Sequence, residues 1–354
     1  MRPRRRQEPS CGRGGMNPFR YVKATSPADA LARMGRNPGA RFVAGGTTLL
    51  DLMKLGVETP DVLIDINHLG LDGITEDRHG LHIGAHVSNT DLAEHDSVKK
   101  KWPVMSQAIL AGASTQLRNM ATVGGNLLQG NRCGYFRDVA MPCNRRDPGT
   151  GCGALGEQPG VEGINRYCAV LGTSPSCIAA HPSDMCVALV AVDAKVKISS
   201  PAFDRLERAE DFFRLPGDTP QIQTRLGPDE LITGIELPEL PAGARSMYLK
   251  VRDRTSYAYA LTSAAVVLTL DAKGRIDHAR VALGGVGSVP WRSHEAENAL
   301  LSSPPTEEAF RAAAEAAFAG AVPYQYNGFK IALGQDTLVR VLNELVRPGA
   351  GERP

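Results

Sequence analysis

The chain has 354 residues, of which 42% are hydrophobic and 22% charged, a composition typical of a globular protein that can bury two or three cores. No apolar run approaches the roughly 20 residues needed to cross a bilayer, so the composition excludes a membrane-spanning helix. The chain has a net charge of +2, but residues 1–15 carry five Arg and one Glu, hence +4, so residues 16–354 carry about −2 (2 − 4). A folded part that is not basic argues against nucleic acid as a partner.

The first fifteen residues predict a disordered basic tail. Arg4, Arg5 and Arg6 suggest the start of an export signal, but no apolar segment follows them, so a signal peptide is not predicted. We therefore expect Met16 to be the effective start of the folded protein.

Short strands and helices alternate through the first two thirds of the chain. Ser26-Pro27 opens a helix that Pro38-Gly39 ends, and a brief strand at 41–44 runs into Gly45-Gly46 and a helix that starts at Leu49. Further strands are predicted at 62–66, 81–85 and 196–198, and further helices from 89, at 103–110 and at 183–192.

The pattern changes near residue 240. Strands are predicted at 246–252, 262–270 and 278–283, followed by helices at 293–302, 305–319 and 330–346, which indicates an antiparallel sheet with helices on one face. The fold class is therefore α+β. The predicted parts are tails at 1–15 and 347–354, two subdomains at 16–77 and 78–235, and a C-terminal domain at 236–346.

Two glycine-rich turns are candidates for binding an anion. In Gly45-Gly46-Thr47-Thr48, which joins a strand to a helix, backbone N–H groups and the helix N-terminus can face a pyrophosphate. Thr122-Val123-Gly124-Gly125-Asn126 repeats the combination of two glycines with a hydroxyl and an amide. Either turn by itself is more often only a tight turn, but the two together with a helix capped at Ser183-Asp184 favour a cofactor site.

A family resemblance rests on four segments in order, which read AGGTTLLDLMK, ATVGGNLLQ, HPSDM and LKVRDRTSYA. In these the chain resembles the FAD-binding subunits of the molybdenum hydroxylases, a family that includes xanthine dehydrogenase and carbon monoxide dehydrogenase. The resemblance covers about 17–346. It implies an FAD-binding fold of the vanillyl-alcohol oxidase/PCMH type, followed by an α+β domain like the C-terminal domain of carbon monoxide dehydrogenase flavoproteins.

The resemblance also implies which residues hold FAD, and it implies no acid–base catalyst. Backbone amides of the first turn would hold the pyrophosphate, the second turn would line the site, Asp184 would accept from a sugar hydroxyl, and Lys250 would lie near the flavin. The implied residues are Arg41, Phe42, Val43, Ala44, Gly45, Gly46, Thr47, Thr48, Leu49, Thr122, Gly125, Asn126, Asp184 and Lys250.

Six of the seven cysteines lie between 133 and 186, in or beside a stretch at 129–166 that is rich in Gly, Pro, Arg and Asn and has little hydrophobic periodicity. A bound metal centre could order such a stretch. Cys168 is predicted in a short buried strand and Cys186 on the apolar face of a helix. Spacing leaves an iron–sulfur cluster, structural zinc and disulfides open for the cysteines that lie beside Gly, Pro or Asn, namely Cys133, Cys143, Cys152 and Cys177.

The segment at about 129–181 is an insertion relative to most of the family. Its sequences RCGYFRD, PCNRRDPGTGC and SPSCIAAHPSDM resemble the flavin subunit of bacterial periplasmic aldehyde oxidoreductases. That resemblance implies one 4Fe–4S cluster held by Cys133, Cys143, Cys152 and Cys177.

The implied function is electron transfer in a heterotrimeric molybdenum-dependent aldehyde oxidoreductase. The implied partners are a large molybdopterin-binding subunit, a small subunit with two 2Fe–2S clusters, and an external electron acceptor. The alternatives are the flavin subunit of a 4-hydroxybenzoyl-CoA reductase-like enzyme and a zinc-stapled module without enzymatic activity. The expected location is the periplasm, by co-export with a signal-bearing partner, and the alternative is the cytoplasm.

Overall fold

The computed structural model describes residues 16–347, so the predicted tail at 1–15 and residues 348–354 lie outside the described residues. The chain begins with a small parallel sheet in the order β1-β3-β2, covered by helices. Its elements are β1 (Arg20–Lys23), α1 (Pro27–Arg36), β2 (Ala40–Val43), α2 (Leu49–Lys54) and β3 (Val62–Asp65).

Local chemistry explains where the first helix starts. The Ser26 hydroxyl accepts the Asp29 N–H at 3.1 Å, and Pro27 occupies the first turn, where its missing N–H costs nothing. The predicted helix start is confirmed, and so is the start of α2 at Leu49.

The second part is a five-stranded antiparallel sheet in the order β4-β5-β8-β6-β7, with a layer of helices on it. Trp102, Met105 and Leu189 are fully buried in the core between them. The elements are β4 (Ile74–Asp77), β5 (Gly80–Gly84), α3 (Asn89–Glu94), α4 (Asp96–Lys101), α5 (Pro103–Ala111), α6 (Thr115–Met120), α7 (Val123–Leu127), α8 (Gly134–Arg137), α9 (Asp184–Ala191), β6 (Lys195–Ser199), β7 (Asp204–Arg208), α10 (Ala209–Phe212) and β8 (Leu231–Pro238).

Both predicted domain boundaries fall inside paired structure. The boundary at 77/78 lies in the hairpin between β4 and β5. The boundary at 235/236 cuts β8, which pairs with β6 as far as Glu236 and with β5 as far as Pro238. The sheet is therefore continuous across both positions, through the β4–β5 hairpin at the first and through β8 at the second.

The cysteine-bearing insertion is almost free of regular structure, as its composition predicts. It contains α8, a single 3₁₀ turn at Gly153–Leu155 and three isolated bridges, which pair Cys143 with Cys152, Ser174 with Cys177, and Leu171 with Gly287. The strand predicted around Cys168 is wrong, since only Leu171 of that segment makes a bridge, although Cys168 is buried. Cys186 lies in the core on α9.

The C-terminal domain is a four-stranded antiparallel sheet in the order β12-β11-β10-β9. The expectation that helices cover one face is incomplete: Val266 and Leu268 of β10 face the C-terminal helices, while Ala265 and Val267 pack into the core of the preceding domain. No helix of the described residues is long and apolar enough to cross a membrane. The elements are β9 (Arg245–Val251), β10 (Thr262–Leu270), β11 (Ile276–Gly284), β12 (Trp291–Arg292), α11 (His294–Leu300), α12 (Glu307–Ala317) and α13 (Phe329–Val346).

Candidate functional site

One large cavity of about 1090 Å³ collects every residue that the sequence assigns to FAD. It opens between the small parallel sheet, the helical layer and the C-terminal sheet, and its volume suits a dinucleotide. The fourteen predicted residues in its wall are Arg41, Phe42, Val43, Ala44, Gly45, Gly46, Thr47, Thr48, Leu49, Thr122, Gly125, Asn126, Asp184 and Lys250.

The first glycine turn offers unused donors to this cavity. Within residues 16–347, the backbone N–H groups of residues 45–48 have no acceptor in the protein. Gly45 must be glycine because a Cβ there would lie 1.7 Å from the Met120 carbonyl oxygen. The close approach brings the two predicted phosphate-binding turns together at one edge of the cavity.

The second turn differs from the prediction, because Val123–Leu127 is a short helix and not a loop. Its Thr122 hydroxyl caps the Gly125 N–H at 3.2 Å, and the Gly124 N–H donates to Ala85 at 2.9 Å, so these amides are already satisfied. Asn126 accepts from the Ser183 hydroxyl at 2.6 Å. This turn therefore shapes the cavity and links it to α9, whereas the first turn supplies free amides.

Asp184 and Lys250 form a buried ion pair in the cavity wall. The Lys250 Nζ lies 2.7 Å from Asp184 Oδ2, and its side chain is 3% exposed against 9% for Asp184. Tyr248, which the sequence analysis missed, donates its hydroxyl to the other carboxylate oxygen. Burial, and then the neighbouring carboxylate, raise the pKa of Tyr248 well above its ordinary value, so the phenol remains a neutral donor.

Two further polar residues of the cavity were missed by the sequence analysis. These residues are His86 and Asn89. Both ring nitrogens of His86 and the Oδ1 of Asn89 are buried, and none of the three atoms has a hydrogen-bond partner within the described part of the chain. Burial lowers the pKa of His86, so its ring is neutral. Buried polar atoms are normally hydrogen-bonded, so these atoms are available to a ligand or to water in the cavity. Only the position of Asn89 at a helix start was visible in the sequence.

A second, narrow cavity is lined by all four predicted cluster ligands, Cys133, Cys143, Cys152 and Cys177. Cys133 also lines the large cavity. The six described cysteines are free thiols, so no disulfide joins them. Within residues 16–347, no three His, Cys, Asp or Glu side chains converge closely enough to hold a single metal ion.

Backbone N–H groups point at the sulfurs of this cavity. The pKa of Cys133 falls to about 6 because the Cys168 thiol donates to it and the N–H groups of Phe136 and Tyr135 add to that effect. Burial raises the pKa of Cys152 to about 11, although hydrogen bonds from the N–H groups of Ile178 and Ala154 act to lower it. Sulfurs that accept from backbone amides around a cavity suit thiolates bound to a multinuclear centre.

Arginines brace the insertion. Arg146 has a side chain that is 8% exposed. Its Nη1 lies 2.8 Å from the carbonyl oxygens of Tyr135 and Phe136 and 2.9 Å from that of Asp138, so its two N–H groups are shared among three carbonyls at the C-terminal end of α8. Arg132 and Arg137 pair with Asp51 of α2. The basic residues of the insertion therefore hold backbone and neighbouring carboxylate, in addition to adding positive charge near the thiols.

Comparison with known proteins agrees with this geometry. Residues 17–240 match the family described as the FAD binding domain in molybdopterin dehydrogenase, and residues 247–345 match the CO dehydrogenase flavoprotein C-terminal domain. The chain is 50% identical to the aldehyde oxidoreductase FAD-binding subunit PaoB of Escherichia coli, over 93% of this chain and 98% of that one. It is 32% identical to the glyceraldehyde dehydrogenase medium chain of Sulfolobus acidocaldarius, over 80% and 81%.

A solved structure shares the fold. Carbon monoxide dehydrogenase from Hydrogenophaga pseudoflava superposes with a TM-score of 0.72 at 28% identity, over 93% of this chain and 97% of that one. The predicted fold class and family resemblance are confirmed. The chain belongs to the FAD-binding subunits of the molybdenum hydroxylases and is an oxidoreductase subunit.

Proposed function

We propose that the chain is the FAD- and 4Fe–4S-containing electron-transfer subunit of a heterotrimeric molybdenum-dependent aldehyde oxidoreductase, which converts an aldehyde to a carboxylate. The observation that carries the proposal is that Cys133 lines both the large cavity and the cavity of four thiols. The 50% identity to a subunit named for aldehyde oxidoreductase supports the substrate class.

The chain's own residues fit FAD. The free amides of residues 45–48 would hold the pyrophosphate, and the neutral His86 and Asn89 offer polar atoms to the rest of the nucleotide. Asp184, which accepts from Lys250 and Tyr248, would accept from a sugar hydroxyl, and Lys250 would lie near the flavin. When bound, the flavin supplies the redox chemistry, and the protein supplies orientation and electrostatics.

The cysteine cavity supports the 4Fe–4S proposal by its donor set. Four thiols line one cavity, and a 4Fe–4S cluster is held by four cysteine thiolates. Four thiolates also suit structural zinc, and metal analysis of the purified complex decides between the two. The proposed ligands are therefore Cys133, Cys143, Cys152 and Cys177.

The proposed partners are a large molybdopterin-binding subunit and a small subunit with two 2Fe–2S clusters, from which electrons reach this chain and leave to an external acceptor. Their support is that relatives at 27 to 32% identity carry the name medium chain. We also propose that the chain reaches the periplasm by co-export with a signal-bearing partner. Cell fractionation of strains with and without that partner's signal tests this location.

Purification of the intact complex tests the proposed function. We expect FAD, molybdenum, and iron and acid-labile sulfide in excess of what two 2Fe–2S clusters account for. Turnover with aldehydes and not with aryl-CoA thioesters is the expected activity. A complex without flavin, or with zinc in place of the additional iron, contradicts the proposal.

Single substitutions assign the cluster ligands. Cys143→Ser and Cys152→Ser should each lower the iron content of the complex, while FAD stays bound. Cys186→Ser is the matched control, because Cys186 is equally buried but lies in the core on α9, away from the thiol cavity. Equal iron in all three variants contradicts the ligand assignment.

A further inference from the structure

Lys330, at the start of α13, is a buried cation that the flavin and cysteine sites do not account for. Its side chain has no exposed surface, and its Nζ donates to the Cys168 carbonyl at 2.9 Å and to the Gly285 carbonyl at 2.6 Å. Within residues 16–347, no carboxylate lies within ion-pair distance of it. An ammonium group held in this way is costly unless a negative charge compensates it.

The position of Lys330 relates it to both cavities. Cys168 and Gly285 line the large cavity, and the Cys168 thiol donates to Cys133, which also lines the thiol cavity. Cys152 and Cys168 share one apolar cluster, against which Cys133 and Tyr324 pack. The Lys330 ammonium is therefore held against the backbone of Cys168, the residue whose thiol contacts Cys133, and Cys133 lines both cavities.

We propose that the positive charge of Lys330 stabilises the reduced, more negative state of the centre bound by the four thiols, and so raises its reduction potential. The inference rests on the proposed function, because it requires that an iron–sulfur cluster occupies the thiol cavity. A cluster with four thiolates carries net negative charge that grows on reduction, and a nearby buried cation is screened little by solvent. Lys330 acts through its charge alone and does not touch the reacting atoms, so it is not a catalytic residue.

A neighbouring residue provides a structural control. Asn327 is also fully buried and donates to the Ala169 carbonyl at 3.0 Å and to the Cys168 carbonyl at 3.4 Å. It ties the same turn of the C-terminal domain to the same segment of the insertion, but it carries no charge. Substitution of Asn327 loosens the contact without removing a cation.

The experiment is potentiometric titration of the purified complex, followed by electron paramagnetic resonance of each iron–sulfur centre and by the flavin absorbance. We expect Lys330→Met and Lys330→Gln to lower the ratio of reduced to oxidised 4Fe–4S centre about tenfold at a fixed potential, equivalent to about 59 mV for one electron. Lys330→Arg and Asn327→Ala should keep the wild-type potential.

The outcomes separate this inference from the proposed function. If the wild-type complex has no additional iron, the proposed function fails. If iron and FAD are present at wild-type levels in Lys330→Gln and the potential of the cluster is unchanged, the inference about Lys330 is overturned. A shift confined to the flavin, or an equal shift in Asn327→Ala, overturns it as well. Lys330→Gln retains a donor for one carbonyl and decides the question if Lys330→Met does not assemble.

Discussion

Lys250 of β9 and Asp184 of α9 meet at 2.7 Å, although they lie 66 residues apart and belong to different domains. Both side chains are buried, and Tyr248 donates to the same carboxylate. The pair therefore joins the C-terminal sheet to the N-terminus of α9 in the cavity wall.

Asp184→Asn should destabilise the protein by about 3 kcal/mol, because it leaves the Lys250 ammonium buried without its counter-charge. Unfolding in urea measures the free energy of unfolding. The double variant Asp184→Asn/Lys250→Met should be more stable than Asp184→Asn. If the double variant is less stable than either single variant, the pair does not act as a coupled unit.

Gly45→Ala should weaken FAD binding at least about tenfold, or 1.4 kcal/mol, because its Cβ would lie 1.7 Å from the Met120 carbonyl and force the first turn away from the cavity edge. Fluorescence titration of the apoprotein with FAD measures the affinity. Gly35→Ala is the control, since a Cβ there meets nothing within 4 Å and the position is inside α1. It should leave FAD affinity unchanged and stabilise the fold by about 0.5–1 kcal/mol.

Arg146→Met should loosen the insertion, because the carbonyls of Tyr135, Phe136 and Asp138 lose a shared charged donor. Hydrogen bonds to a charged group contribute about 1.5–3 kcal/mol each, so local opening should become more frequent. Hydrogen exchange of residues 134–150 measures it. Arg311→Met, which removes an exposed pair with Glu307, should leave that exchange unchanged. Unaltered exchange in Arg146→Met contradicts the bracing role.

His181 should make the stability of the protein sensitive to acid. Burial lowers the pKa of His181 to about 3, so the folded ring stays neutral where the unfolded ring takes up a proton. The buried neutral ring contributes fully to the free energy of unfolding above pH 6.5, the pKa of His in the unfolded chain. That contribution is lost progressively as the pH falls from 6.5 toward 3.

Below pH 6.5, the free energy of unfolding should therefore fall less steeply with pH in His181→Asn than in wild type. The two slopes should differ by up to about 1.4 kcal/mol per pH unit, which corresponds to the uptake of one proton. Urea unfolding at several pH values gives the slopes. His79→Asn, at an exposed position, is the control and should follow wild type. Parallel slopes for wild type and His181→Asn rule out the assigned role of His181.

Local signals predicted local structure well. The start of α1 follows from Ser26 and Pro27, and β10 spans the predicted residues 262–270, because caps and apolar runs act over a few residues. The strand β8 could not be found in this way. It contains Gly234, which weakens a strand pattern. It pairs with β5 and β6, which both lie far from it in the sequence, so no local signal marks it.

The candidate site shows the same division. Sequence comparison brought Asp184 and Lys250 to the flavin cavity, but the pairing of their charges and the part played by Tyr248 depend on how β9 packs on α9. The sequence predicts a loop after Thr122, and two adjacent glycines disfavour a helix interior. The Thr122 cap overrides that preference over a single turn.

The near-contact between Gly45 and the Met120 carbonyl has a consequence for how the protein holds together. The two turns belong to separate cores, the small parallel sheet and the helical layer, and Gly45 and Met120 bring them together at the edge of the cavity. A nucleotide held by the first turn and lying against the second contacts both cores at once, so its binding should stabilise the two parts of the protein together.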